Sequence, residues 1–127
     1  MENKDKDQYM GDLSAADEHL IPIIVRGLKD KINPENAIGA KKIVGAMKSK
    51  GYDITIEKLR RIIHVIRVRG LITCLIDGPN GYYKTGDLTD IARHTAGMRH
   101  RIKRLTAEEK ALSEQLDEYY APKLFKK

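Results

Sequence analysis

Nine basic side chains crowd residues 39–70 against two acids, a local net charge of +7 in a chain whose total is +6. Clustered Lys and Arg gain free energy by releasing condensed counterions from a phosphate polyanion, so this third of the chain is the part suited to bind one. Residues 55–69 hold the groups that read base edges. Arg61 and Lys58 suit the acceptors of guanine, Glu57 can accept from the amino group of cytosine, and His64 shares their face. Arg60 and Arg67 lie nearer the apolar stripe, where phosphates or acids are the fitting partners. Lys41, Lys42 and Lys48 suit phosphates, and Gly39 and Ala40 leave backbone N–H groups open to one.

Other chemistries find little support. His19, His64, His94 and His100 include no pair at the i, i+4 spacing that sets two metal ligands on one helix face. Cys74 is the only cysteine, which excludes an internal disulfide and a cysteine-rich zinc site, and no cation is placed by sequence to activate its thiol. The segment IGAKKIVGAMKSKG has neither spacing of a phosphate-binding glycine loop. Asp87, Asp90, Glu108 and Glu109 suit helix starts and solvated faces better than an acid/base pair. Neither an enzyme nor a cofactor nor a metal is expected. The 127 residues, 41% hydrophobic and 33% charged, are enough for one core and an appendage. No window is apolar enough to span a membrane, and the polar start MENKDKDQYM is unlike a signal peptide, so a cytoplasmic protein is expected.

The elements that must hold these groups follow from periodicity. Residues 1–13 lack an apolar period and are expected to be a disordered tail. Ser14, with Asp17 and Glu18 after it, predicts a helix start, and Leu20, Ile21, Ile24, Val25, Leu28 and Ile32 extend a helix over 15–31. Pro22 either kinks it or opens a shorter one near Leu20. Ile43, Val44 and Met47 predict a second helix from Gly39 to Lys50. Thr55 caps a third that Gly70 closes, with Ile56, Leu59, Ile63 and Ile66 as its buried stripe, Ile62 at the margin, and Val65 flanking the exposed side. Leu71–Ile76 and Tyr82–Lys84, around DGPNG, predict a β-hairpin whose adjacent tyrosines point to opposite faces. Asn80, Lys84 and one tyrosine are its candidate phosphate contacts. From Asp87, positions 88, 91, 95, 98, 102, 105, 109, 112 and 116 alternate steps of 3 and 4, and seven of these nine are apolar. That is a heptad seam of Leu88, Ile91, Met98, Ile102, Leu105, Leu112 and Leu116, suited to a homodimer, with packing of its first half on the first helix of its own chain as the alternative. Pro122 is expected to end this helix before a basic tail over 121–127.

Three helices, a hairpin and a long helix, with the second and third joined by a short turn, form the plan of a winged helix-turn-helix domain. The stretch NAIGAKKIVGAMKSKGYDITIEKLRRIIHVIRVRGLITCLIDGPNGYYKTGDLTDI resembles the small winged-helix proteins of phages, prophages and mobile elements, over about residues 20–105. The resemblance lies in a selector helix, a recognition helix like LRRIIHVIR, a glycine, a wing ending GYY, and a long helix after an acidic cap. Unlike a basic wing, IDGPNGYY has no Arg or Lys at its tip. Four segments are therefore expected: the tail to residue 13, a winged helix-turn-helix over 14–86, a dimerisation helix over 87–120, and the basic tail. The fold class is mainly α with a small hairpin. The expected function is double-stranded DNA binding by a dimeric transcriptional regulator of phage or mobile-element type. The alternatives are a protein-protein interaction or assembly module, and a DNA-binding subunit of a phage replication or packaging machine.

Overall fold

Pro22 decides how the fold begins. It has no N–H to donate to the Glu18 carbonyl, and its ring crowds that oxygen. The chain therefore makes one helical turn, α1 (Ala15–Glu18), and starts again after His19 as α2 (Leu20–Leu28). In the first turn of α2 the missing donor is one that no helix uses. Of the two expectations at Pro22, the shorter helix opening near Leu20 is the one found; the helix expected over 15–31 is two, and the second stops at Leu28 rather than residue 31. Ile32 leaves the helical stripe, lies exposed, and bridges to Lys84. Ser14 begins α1 with its carbonyl rather than its hydroxyl: it accepts from the N–H groups of Asp17 and Glu18, each at 3.0 Å.

This computed structural model describes residues 13–125. The tail expected over residues 1–13 falls outside them but for Leu13, as do the last two residues of the basic tail. After a 3-10 turn (Pro34–Asn36) come α3 (Ala40–Ser49), α4 (Ile56–Arg69), the strands β1 (Leu75–Gly78) and β2 (Gly81–Lys84), and α5 (Leu88–Phe125). The chain is mainly helical with one antiparallel hairpin and a long C-terminal helix, and it divides into two units between Leu88 and Thr89.

In the first unit, Leu20, Ile24 and Leu28 of α2, Ile43 and Met47 of α3, and Leu59, Ile62, Ile63, Val65 and Ile66 of α4 bury one apolar cluster with Ile72 and Leu75. Local chemistry bounds α4 as its sequence predicts. The Thr55 side chain accepts from Lys58 N–H at 3.0 Å, and Gly70 closes the helix in the left-handed region at φ 68°. Leu71 N–H then returns to the Ile66 carbonyl. That closure, followed by a positive φ of 57° at Cys74, keeps residues 71–74 out of the extended strand expected there.

The hairpin turns through Pro79 and Asn80, with Gly78 opposite Gly81. Its second strand has a further partner. Ile38 and Tyr82 exchange both backbone hydrogen bonds, at 3.0 and 2.9 Å, and Lys84 pairs with the segment 31–33. Gly81 makes this approach possible: at φ 119°, a Cβ there would stand 2.3 Å from the Ile38 carbonyl. The second unit is α5. It continues through Pro122 to Phe125, where an end at the proline was expected; Pro122 forgoes the hydrogen bond to the Glu118 carbonyl, and the helix runs only three residues beyond it.

Candidate nucleic-acid interface

Helix α4 is held from more sides than its leucine and isoleucine spacing alone requires. Ile62 and Val65 are fully buried beside Leu59, Ile63 and Ile66, whereas Ile56, expected inside, is only half-buried. Turning about 100° per residue, the centre of the buried arc lies roughly 40° away from Leu59, toward Ile62 and Val65. Val65 is thus core, not a flank of the exposed side. The opposite arc, about 100° wide, carries Glu57, Arg60, Arg61, His64 and Val68, all exposed.

The same rotation sorts the cations of α4 into two groups. Lys58 stands at the edge of the buried arc, and its ammonium lies 3.2 Å from Asp17 of α1. The Lys58 hydrogen bond holds the Asp17 carboxyl below the usual range, burial opposes it, and the Ser14 hydroxyl and the charges of Lys58 and Arg61 assist. Arg69 makes a two-pronged contact with Glu18, at 2.8 and 2.7 Å, which lowers the Glu18 pKa against an opposing burial effect. Arg67 donates its Nε to the Leu75 carbonyl at 2.8 Å and Nη2 to Asp77 at 2.8 Å, and its guanidinium lies 6.0 Å from the Tyr82 ring centre. Of the two partners its position allows, phosphate or acid, Arg67 has an acid.

Three of the nine cations of residues 39–70 are therefore neutralised by acids from outside that segment. Arg60 and Arg61 make no ion pair with another described residue, and neither do Lys41, Lys42, Lys48 and Lys50. All six are exposed. The α3 lysines stand on a helix whose Ile43 and Met47 are anchored in the shared core, and Gly51, at φ 93°, turns the chain from α3 toward α4. The arrangement presents two cationic helices from one rigid core, with acceptor groups confined on the exposed arc of α4 to Glu57 and His64.

On the hairpin, Asn80 is exposed at the turn and Lys84 is half-buried beside the 31–33 segment. The tyrosines do face opposite ways. Tyr83 is buried, while Tyr82 is half-buried beside the Arg67 guanidinium. Sequence reasoning gave no role to Asp77, nor to Asp17 and Glu18 beyond the start of a helix. Their partners lie 10 to 51 residues away along the chain, a separation at which no local pattern signals a contact. Lys50, close to Lys48 in the basic run, joins the exposed lysines of α3.

Among the described residues no group of three His, Cys, Asp or Glu side chains could hold a metal ion, and no helix is long and apolar enough to cross a membrane. No protein-family model matches the chain, and neither a curated protein nor a solved structure gives a significant match.

Proposed function

We propose that the chain is a double-stranded DNA-binding protein built on the winged helix-turn-helix plan, acting as a dimeric transcriptional regulator of phage or mobile-element type. One observation carries the reading: the cations of α4 at the core edge are neutralised by acids, while Arg60 and Arg61 on the exposed arc are not. A face meant only for solvation has no need of that division, whereas a face for a polyanion gains from it. The N-terminal half of α4 enters the major groove, where Arg61 reads guanine, Glu57 and His64 contact neighbouring bases, and Arg60 meets a phosphate. Lys41, Lys42 and Lys48 bind the backbone from α3. The hairpin is the wing, and the bridge from Ile38 to Tyr82 gives it a third, minimal strand that steadies it. Lys58, committed to Asp17, acts on the bases only if that pair opens.

Fluorescence anisotropy with random duplex at graded salt tests the reading, followed by selection from a random duplex pool. Salt-sensitive binding and a recovered two-fold symmetric sequence support a dimeric regulator. Binding without sequence preference points to the replication or packaging role, and no binding at low salt overturns the proposal.

A further inference from the structure

The charges of α5 are divided along its length. Residues 91–107 hold Arg93, Arg99, Arg101, Lys103 and Arg104 and no acid, whereas residues 108–118 hold Glu108, Glu109, Glu114, Asp117 and Glu118 against the single base Lys110. The apolar seam runs through both halves, and Ile102, Leu105, Leu112 and Leu116 are 54–64% exposed in the single chain. Tyr119, also exposed, extends the same alternation of 3 and 4 by one more step.

We infer that α5 pairs with α5 of a second copy of this chain, and that the two helices run antiparallel. With Leu88 taken as position a of the heptad, Ile91 is d, and the alternation continues to Leu116 at a and Tyr119 at d. In an antiparallel pair each a layer faces a d layer. One register uses the whole seam: Leu88 meets Tyr119 of the second copy, Ile91 meets Leu116, Thr95 meets Leu112, Met98 meets Glu109, and Ile102 meets Leu105. Each layer occurs twice by symmetry, and three of the five are wholly apolar. The two copies of Leu88 then stand about 47 Å apart along the axis.

Charge selects this orientation over the parallel one. Beside the antiparallel seam, position g faces position g, which sets Arg101 against Glu108 of the second copy at two symmetric places, and His94 against Gln115. Residues 91–99 of each helix, with Arg93 and Arg99, lie along the acidic residues 108–116 of the other, while residues 100–107 lie along their own copy about the two-fold centre. Lys103 and Arg104, nearest the two-fold centre, fall at positions b and c on the outer face. Gly97 is also at c, where no side chain is needed. In a parallel, in-register pair, g faces the e position five residues on. That sets His94 against Arg99, Arg101 against Thr106 and Glu108 against Ser113, so no opposite charges meet, and Glu109 faces its own copy in the seam. Like-charged halves would also lie side by side, at separations within the ~8 Å Debye length of physiological salt.

This inference deepens the dimeric part of the proposed function and does not depend on DNA. Its test uses the full chain with Cys74→Ser, so that introduced cysteines are the only ones. Ile91→Cys and Leu116→Cys variants, one carrying a size tag, are oxidised alone and mixed. The expected result is a cross-link between the two variants in the mixture and none within either alone. Cross-linking of each variant with itself establishes a parallel pair and overturns the inference. Sedimentation of the uncysteined chain supplies an independent arm. Arg101→Glu should weaken the dimer roughly tenfold, and Arg101→Glu with Glu108→Arg should restore it. Failure of the double substitution to restore it, or a wild-type chain that stays monomeric at micromolar concentration, overturns the inference. A monomer that still binds duplex leaves the DNA reading standing. A cross-linked antiparallel dimer that ignores duplex does the reverse.

Discussion

Asp17 ties α1 to α4 through one buried carboxylate. Its pKa is depressed in the fold, chiefly by the hydrogen bond from Lys58, so the contact stabilises fully above the ordinary carboxylate value of 3.8 and is lost as pH falls through the lower folded value. Glu18 behaves likewise below its ordinary 4.5 because of Arg69. In urea titrations the stability gap between wild type and Asp17→Asn should therefore be constant near neutrality and shrink as pH drops below about 4. A gap independent of pH would place the stabilisation in packing. The arginines of α4 should separate in a different assay. Arg61→Ala should cost roughly 1 to 3 kcal/mol on the preferred duplex and relax discrimination at one position, with thermal stability unchanged. Arg67→Ala should lower the melting temperature, because the Leu75 carbonyl and Asp77 lose their donor. Of these pairings only an acid partner for Arg67 was legible in the sequence, as one of two options, since each joins segments whose approach is set by the core.

At the scale of elements, α4 was nearly complete in the sequence: Thr55 and Gly70 mark its ends by chemistry that acts within four residues. Its orientation was not. A stripe of Leu59, Ile63 and Ile66 is what one packing partner would cover, but α2 and α3 both pack on α4, Ile72 and Leu75 join the same cluster, and that draws in Ile62 and Val65. The α3 lysines remain exposed after this packing. Replacing Lys41 and Lys42 by Gln should flatten the slope of log K against log salt by up to about two units, as anisotropy at graded salt would read. The hairpin depends on a single close approach. Gly81→Ala would set a Cβ against the Ile38 carbonyl in a backbone conformation that alanine resists. A loss of about 2 kcal/mol or more is expected in chemical denaturation, with the Ile38 to Tyr82 bridge opened first in hydrogen exchange.

At the scale of the whole molecule, the first unit has its own apolar core, while the seam of α5 carries Ile102, Leu105, Leu112 and Leu116 more than half exposed. An antiparallel pair makes both halves of α5 indispensable, because every layer joins a residue before Lys103 to one after it. Truncation after Lys103 should give a monomer by sedimentation and reduce affinity for a two-fold symmetric duplex by 10²-fold or more, the loss expected when two linked sites become one. Affinity for a half-site should hardly change. A truncated chain that remains dimeric would move the interface into the first unit.

The sequence by itself determined the order of elements, the caps of α4, the hairpin turn at Pro79 and Asn80, the opposite facing of Tyr82 and Tyr83, and the heptad period of α5. These depend on backbone preferences and on repeats of 2, 3.6 and 3.5 residues, which act locally. Only the tertiary structure decided which way α4 is turned, that residues 71–74 turn instead of pairing, and that Asp17, Glu18 and Asp77 neutralise three cations of the basic segment. Those outcomes depend on which surfaces meet. Burial of Ile62 and Val65, and the distances from Lys58 to Asp17 and from Arg69 to Glu18, arise from contacts between segments far apart along the chain, where residue spacing carries no information about proximity.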